Sequence, residues 1–184
     1  MAVTFTPTAG TLTTGVQSTY AIQHTAAYEG MQADSGLDDI ISLVNTSSTL
    51  LYYGHLVVAG SNGGVKVVAG ATDVPLGISV STKTYEDYVV KESDGRVGYP
   101  ATYVANILRK GRIWVYVQEA VAVGDPVRVY HTAATSKVVG RFAKTAAANK
   151  TALLNNCQYL TATSGAGLAV IEINGGDLTL TADA

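Results

Sequence analysis

Ile113-Trp114-Val115-Tyr116-Val117 decides the fold class: its aliphatic residues fall on one face and its aromatics on the other, the two-residue alternation of an extended strand. Outward from it the same grammar recurs in short apolar runs separated by turn residues. Leu50 to Ala59 and Val65 to Ala69 flank Gly60-Ser61-Asn62-Gly63-Gly64, which reads as a hairpin with a glycine-rich loop. Further strand candidates are Leu76 to Val80, Tyr85 to Val90, Tyr103 to Leu108, Val127 to Tyr130, Leu168 to Ile173 and Leu178 to Leu180. Gly111, Gly124-Asp125-Pro126 and Asn174-Gly175-Gly176-Asp177 supply turns between them. Two segments are less direct. Leu37 to Val44 has helical spacing at Leu37, Ile40, Ile41 and Val44, but its β-branched content and short length favour a strand. Ala146 to Leu154 is alanine-rich and is the best place for a short helix. The expectation is an all-β domain, a sandwich or barrel-like arrangement of short antiparallel strands with little helix.

The 184 residues suffice for one domain with its own core and a long arm. Residues 1–27 form the expected arm: rich in Thr, Ala and Gly, without a core-forming period, yet dotted with apolar side chains such as Phe5 and Tyr20. It reads either as an extended arm that orders against a partner or as a first strand of the domain. Residues 28–184 are the β-rich domain.

Composition excludes several function classes. Charged residues are 14% of the chain against 47% hydrophobic, and the net charge is −2. A surface that poor in charge implies extensive cover in the working state. It offers no broad basic face for nucleic acid or anionic membrane. Met1 to Gly10 has no basic start leading into an apolar stretch, and no run of about 18 apolar residues occurs, so neither an export signal nor a membrane span is expected. One cysteine, Cys157, permits no internal disulfide and fits a reducing compartment. The sequons at Asn45 and Asn149 carry no weight without export.

Catalytic readings fare poorly. His24, His55 and His131 lie far apart and read as surface or hydrogen-bonding histidines rather than metal ligands. Asn155-Asn156-Cys157-Gln158-Tyr159 is no nucleophile context, which leaves Cys157 as a buried, inert thiol. Thr163-Ser164-Gly165-Ala166-Gly167 has its serine in the wrong place for a nucleophile elbow, and Gly60 to Gly64 lacks the Lys and helix of a P-loop. Asp38-Asp39 and Glu86-Asp87 are adjacent carboxylates that diverge on a strand. No cofactor and no catalytic residue is expected. Arg109, Lys110 and Arg112 form one small basic group and Lys137, Arg141, Lys144 and Lys150 another, each either solvated charge or a docking patch for an acidic surface. Trp114 is the single tryptophan. Burying about 200 Å² of it is worth at most about 5 kcal/mol, so it belongs in a core or anchors an interface.

The order of these pieces resembles the capsid cement and head decoration proteins of tailed phages. The likeness rests on Asn106 to Val117 with its Gly-Arg-aliphatic-aromatic-Val strand, and on Ala120 to Val129 with its Gly-Asp-x-Val strand. Ala27 to Met31, Tyr53 to Val58, Pro75 to Ile78, Gly140-Arg141-Phe142 and Gly167 to Ile173 add to it. In the second strand Arg128 precedes Tyr130 where the family often has an aromatic. The resemblance implies a structural virion protein on the outer surface of the icosahedral head that bridges major capsid protein subunits. It further implies a homo-oligomer, a trimer first and a dimer second. Phe5, Tyr20, Arg109, Lys110, Arg112 and Trp114 are the expected partner-interface residues. The competing reading is a phage tail or head β-module that binds host-surface glycan, since 11 tyrosines offer rings for stacking on sugars.

Overall fold

The computed structural model describes residues 27–34, 36, 38–82, 96–174 and 177–183. The expected arm with Phe5 and Tyr20, the strand at Tyr85 to Val90, Glu86-Asp87 and His24 lie outside them. The described chain is strand and turn, with a single three-residue 3₁₀ turn in the Gly60 to Gly64 loop. Among the described residues no helix is long and apolar enough to cross a membrane.

Among the described residues eleven strands form one sheet. In chain order its members are β1 (Asp39–Val44), β3 (Leu56–Ala59), β4 (Val65–Val67), β5 (Pro75–Ser79), β7 (Val104–Val117), β8 (Arg128–Tyr130), β9 (Phe142–Ala143), β10 (Thr151–Leu154), β11 (Cys157–Tyr159), β12 (Gly167–Ile173) and β13 (Leu180–Ala182). β2 (Leu51–Tyr52) and β6 (Gly98–Tyr99) pair separately. The continuous path runs β13-β10-β8-β9-β7-β5-β3-β4, with β1 and β12 also on β7 and β11 on β12. Among the described residues the named strands pair antiparallel except β7 with β9, and an isolated parallel bridge joins Asn45 to Val65. The sheet is therefore mixed, though built almost wholly of the short antiparallel strands expected.

The larger departure is β7. Two strands separated by a turn at Gly111 were expected, but one strand of 14 residues runs straight through. Gly111 has φ +126°, and a side chain there would run into the Asp38 carboxylate. Glycine thus serves close approach inside a strand rather than reversal between two. The first half of β7 pairs with β1 and the second with β12, from Val117 opposite Gly167 to Gly111 opposite Ile173. The alternation read from sequence is correct: Ile113, Val115 and Val117 are wholly buried while Trp114 and Tyr116 are half-buried.

Two apolar clusters flank the sheet. Leu56, Val58, Ile78 and Leu108 join Ile113, Val115, Val117, Phe142 and Tyr159 in the larger one. Val57 and Ile107, the alternate residues of the same strands, join Leu51, Tyr53, Ala105 and Tyr99 in the smaller. The β3 and β7 stretches here are buried on both faces, which is why Leu-Val-Val and Ile-Leu stand there as unbroken apolar runs. The two wholly buried tyrosines keep their hydroxyls satisfied: Tyr99 donates to Val80 O at 2.6 Å and Tyr159 to Ala143 O at 2.9 Å.

The helix expected over Ala146 to Leu154 is absent. Residues 148–150 turn, with Asn149 at φ +58°, and β10 follows between β8 and β13. Thr151 Oγ1 accepts from Ala147 N at 2.8 Å and donates to Asp183 at 2.6 Å, while Ala152 and Leu154 are buried. Strand pairing on both sides overrides alanine's helix propensity. Leu50 to Ala59 is likewise two strands, broken at Gly54, whose φ is +69°. Leu37 to Val44 is strand from Asp39, as its β-branched content favoured. It ends at Asn45, a wholly buried residue whose Nδ2 donates to Tyr99 O at 3.0 Å, so this sequon's acceptor nitrogen is sealed in the fold.

Candidate functional site

β7 carries the basic group and Trp114, and the structure divides them among three environments. Arg109 and Lys110 are exposed where β1 meets β7. Arg109 Nη1 lies 3.7 Å from Asp39 Oδ2 and lines a groove with Val74, Leu76 and Leu178. Lys110 lines a different cleft with Asp34, Asp38, Arg112 and Glu172. Arg112 is already engaged: its Nη1 donates to Asp34 Oδ2 at 2.7 Å and its Nε to Glu172 Oε1 at 2.8 Å. Hydrogen bonds from Arg112 and the Gly36 amide hold the Asp34 carboxyl below the usual range. Gln158 and Arg112 do the same for Glu172.

Trp114 and Tyr116 share the outer face of the second half of β7, opposite Val170 and Leu168 of β12. Half-buried, Trp114 is neither a sealed core residue nor a free knob. Beyond Tyr116 comes a group that corrects two readings: His55, expected at the surface or in a hydrogen bond, is buried and its ring makes no hydrogen bond, and Arg141, expected as solvated charge or a docking residue, is spent on Glu29. Arg141 stacks on the Tyr116 ring at 4.3 Å and grips Glu29 with both prongs, Nε to Oε1 at 2.9 Å and Nη2 to Oε2 at 2.6 Å. His55, 1% exposed, sets Nε2 3.4 Å from the same Oε1, without the alignment of a hydrogen bond. Burial raises the Glu29 carboxyl, but His55 and Arg141 outweigh it and the net shift is downward. Burial lowers His55, and the attraction of Glu29 does not make up for it, so the ring is neutral at pH 7.

Three glycine turns build this cluster. A Cβ on Gly30 would lie 2.8 Å from Gly54 N, one on Gly54 2.7 Å from Gly30 N, and one on Gly140 2.7 Å from His55 Nδ1; all three have positive φ. The sequence contains the signal as Glu29-Gly30, Gly54-His55 and Gly140-Arg141, each pairing a glycine with a titratable side chain. The cluster locks the residues that follow the expected arm onto the domain.

Cys157 is held as a thiol. Burial pushes the Cys157 thiol up to about 12, and its Sγ donates to Leu154 O at 3.2 Å. Among the described residues no three His, Cys, Asp or Glu side chains converge as a metal centre.

Large apolar side chains do reach the surface. Ile40, Val44, Tyr103 and Val104 are 39–48% exposed, and Val44 stands directly opposite Val104 in the β1–β7 ladder. This strip was not among the expected interface residues.

A family model described as structural cement protein (E217 gp24/Pam3 gp6) matches residues 16–174. A solved structure described as the capsid of Myoviridae Phage XM1 contains a chain of similar fold, with a TM-score of 0.66 at 18% identity, covering 88% of this chain and 98% of that one. No curated protein matches the chain.

Proposed function

The chain belongs to the phage structural cement proteins, and from that premise we propose that it sits on the outer surface of the icosahedral head and bridges neighbouring major capsid protein subunits without catalysing a reaction. The observation that carries this reading is the family match from residue 16 to 174, which spans the whole β7 scaffold and both of its faces. A virion structural role accords with the sparse charge and with the apolar strip left open on β1 and β7.

The mechanism is physical. Each copy is held by an interface of at least about 1,000 Å², and self-association raises the effective concentration of the remaining contacts when one lets go. Arg109 and Lys110 are the basic residues best placed to meet an acidic capsid surface, since Arg112 is spent on Asp34 and Glu172. Trp114 is the half-open aromatic of the same strand. Phe5 and Tyr20 add apolar contacts if the arm docks, less the cost of ordering it. Neither nucleic acid nor membrane is a partner in this reading.

Co-sedimentation with expanded, undecorated shells tests it, with a truncation lacking residues 2–27 alongside. Saturable binding that raises the shell's rupture temperature is the expected result, and its loss in the truncation assigns the arm to docking. Absence of binding to shells, together with specific capture on a glycan array, would move the chain to the host-surface reading.

A further inference from the structure

We infer that residues 27–34 form a latch that acid releases from the domain while both apolar clusters stay folded. The segment lies along the second half of β7. Gly30 N donates to Trp114 O and Trp114 N to Met31 O, both at 2.8 Å, and Ala33 N donates to Arg112 O at 2.9 Å. Ser81 N adds a bond to Gly30 O at 2.7 Å. The buried residues of the segment are Ala27 and Gly30, and none of its side chains belongs to either apolar cluster. Letting it go therefore exposes little apolar surface, and β7 keeps its ladders with β1 and β12. A piece held by hydrogen bonds and ion pairs, over few buried apolar contacts, opens at a lower free energy than the core beneath it.

The side chains that tie it down are groups that titrate. Glu29 near one end is gripped by Arg141, and Asp34 at the other by Arg112, which also holds Glu172. His55 faces the latch from the domain, with neither ring nitrogen in a hydrogen bond and Nε2 3.4 Å from the Glu29 carboxylate. Arg141, Arg96 and the Tyr52 ring at 5.2 Å complete its surroundings, and the two arginines oppose a further positive charge. While the latch is closed the ring is shut off from water and refuses a proton. Once Glu29 swings away, water reaches Nε2 and the ring titrates near its ordinary 6.5. The open state thus binds the proton more tightly, and each pH unit below 6.5 favours opening by up to about tenfold until the closed state protonates too. Glu29 and Asp34 are held below their ordinary 4.5 and 3.8, so the open segment's carboxylates take up protons first and add to release in stronger acid. Histidine sets the threshold and the carboxylates complete the release. Opening turns a rigid attachment of the residues that lead to the expected arm into a slack one, a property that does not depend on the bridging proposed above.

Hydrogen exchange of the free full-length chain between pH 7.5 and 5.0, corrected for the intrinsic pH dependence of amide exchange, tests the latch. The amides of Gly30, Ala33, Ser81 and Trp114 are expected to open more readily than those of β8 and β12 at every pH, and their opening constant to rise at least about threefold from pH 7.5 to 5.5. His55→Gln is expected to abolish that rise. Glu29→Gln, which removes the partner of Arg141 at any pH, is expected to raise the opening constant at pH 7.5 by about tenfold with β12 still protected. Four results would overturn the proposal: latch amides that exchange only together with β12, an opening constant flat from pH 7.5 to 5.5, an undiminished acid response in His55→Gln, or a Glu29→Gln chain no more open than the wild type.

Discussion

Two arginines of this protein grip carboxylates in nearly the same way and in opposite surroundings. Arg141 holds Glu29 at 2.9 and 2.6 Å with both side chains less than 20% exposed, walled by His55 and Tyr116. Arg112 holds Asp34 and Glu172 at 2.7 and 2.8 Å with its own side chain 47% exposed. Bond length is the same; the solvent is not. Removing one partner of a buried pair strands a charge where water cannot reach it, whereas an exposed pair falls back on hydration. The contrast separates a group that holds the fold together from one that dresses its surface.

The sharpest way to break the comparison is Arg141→Ala, expected to lower unfolding stability by about 3 kcal/mol in urea titration, because Glu29 is left largely buried with only the neutral His55 ring beside it. Gly140→Ala comes next, at about 1–3 kcal/mol, since alanine at φ +85° is strained and its Cβ meets His55. Acid probes the same cluster without mutation. His55 has a folded pKa below its ordinary 6.5, so from pH 6.5 downward the unfolded chain takes up a proton that the folded chain refuses, and stability falls by at most about 1.4 kcal/mol per pH unit. Glu29, lowered from 4.5, contributes stability above that value and loses it as pH drops through its folded pKa, adding to the acid side. Urea midpoints between pH 5 and 8 for the wild type and His55→Gln should diverge only below about 6.5. Arg112→Ala is expected to cost no more than about 1 kcal/mol and to lose even that in high salt. Lys110→Ala should change stability by less than about 0.5 kcal/mol, so any weakening of shell binding in that variant reports a docking contact alone.

The same contrast explains what was legible in the sequence. Alternation at Ile113 to Val117 and the turn-bounded runs at Leu76 to Val80 and Leu168 to Ile173 reveal strands, because burial of one face leaves a local pattern. The unbroken passage of β7 through Gly111 left none: a glycine reads as a turn until the Asp38 carboxylate packed over it is known. Thr151 to Leu154 misled for a related reason, since its strand is imposed by β8 and β13 from distant parts of the chain. At the candidate site, Arg112 and Trp114 were correctly placed on one strand. Glu29, His55 and Arg141 were not brought together because their meeting is made by three separate turns, and nothing within any single turn specifies the other two.

The length of β7 also bears on how a thin shell survives pressure from within. A pull applied between Val104 and Val117 runs parallel to the strand, so the ladder bonds to β1 and β12 are loaded side by side in shear and must yield together. Two short strands joined by a turn at Gly111 would have opened one bond at a time, like a zip. An uninterrupted strand turns the domain into a tie-rod, stiff along its own length.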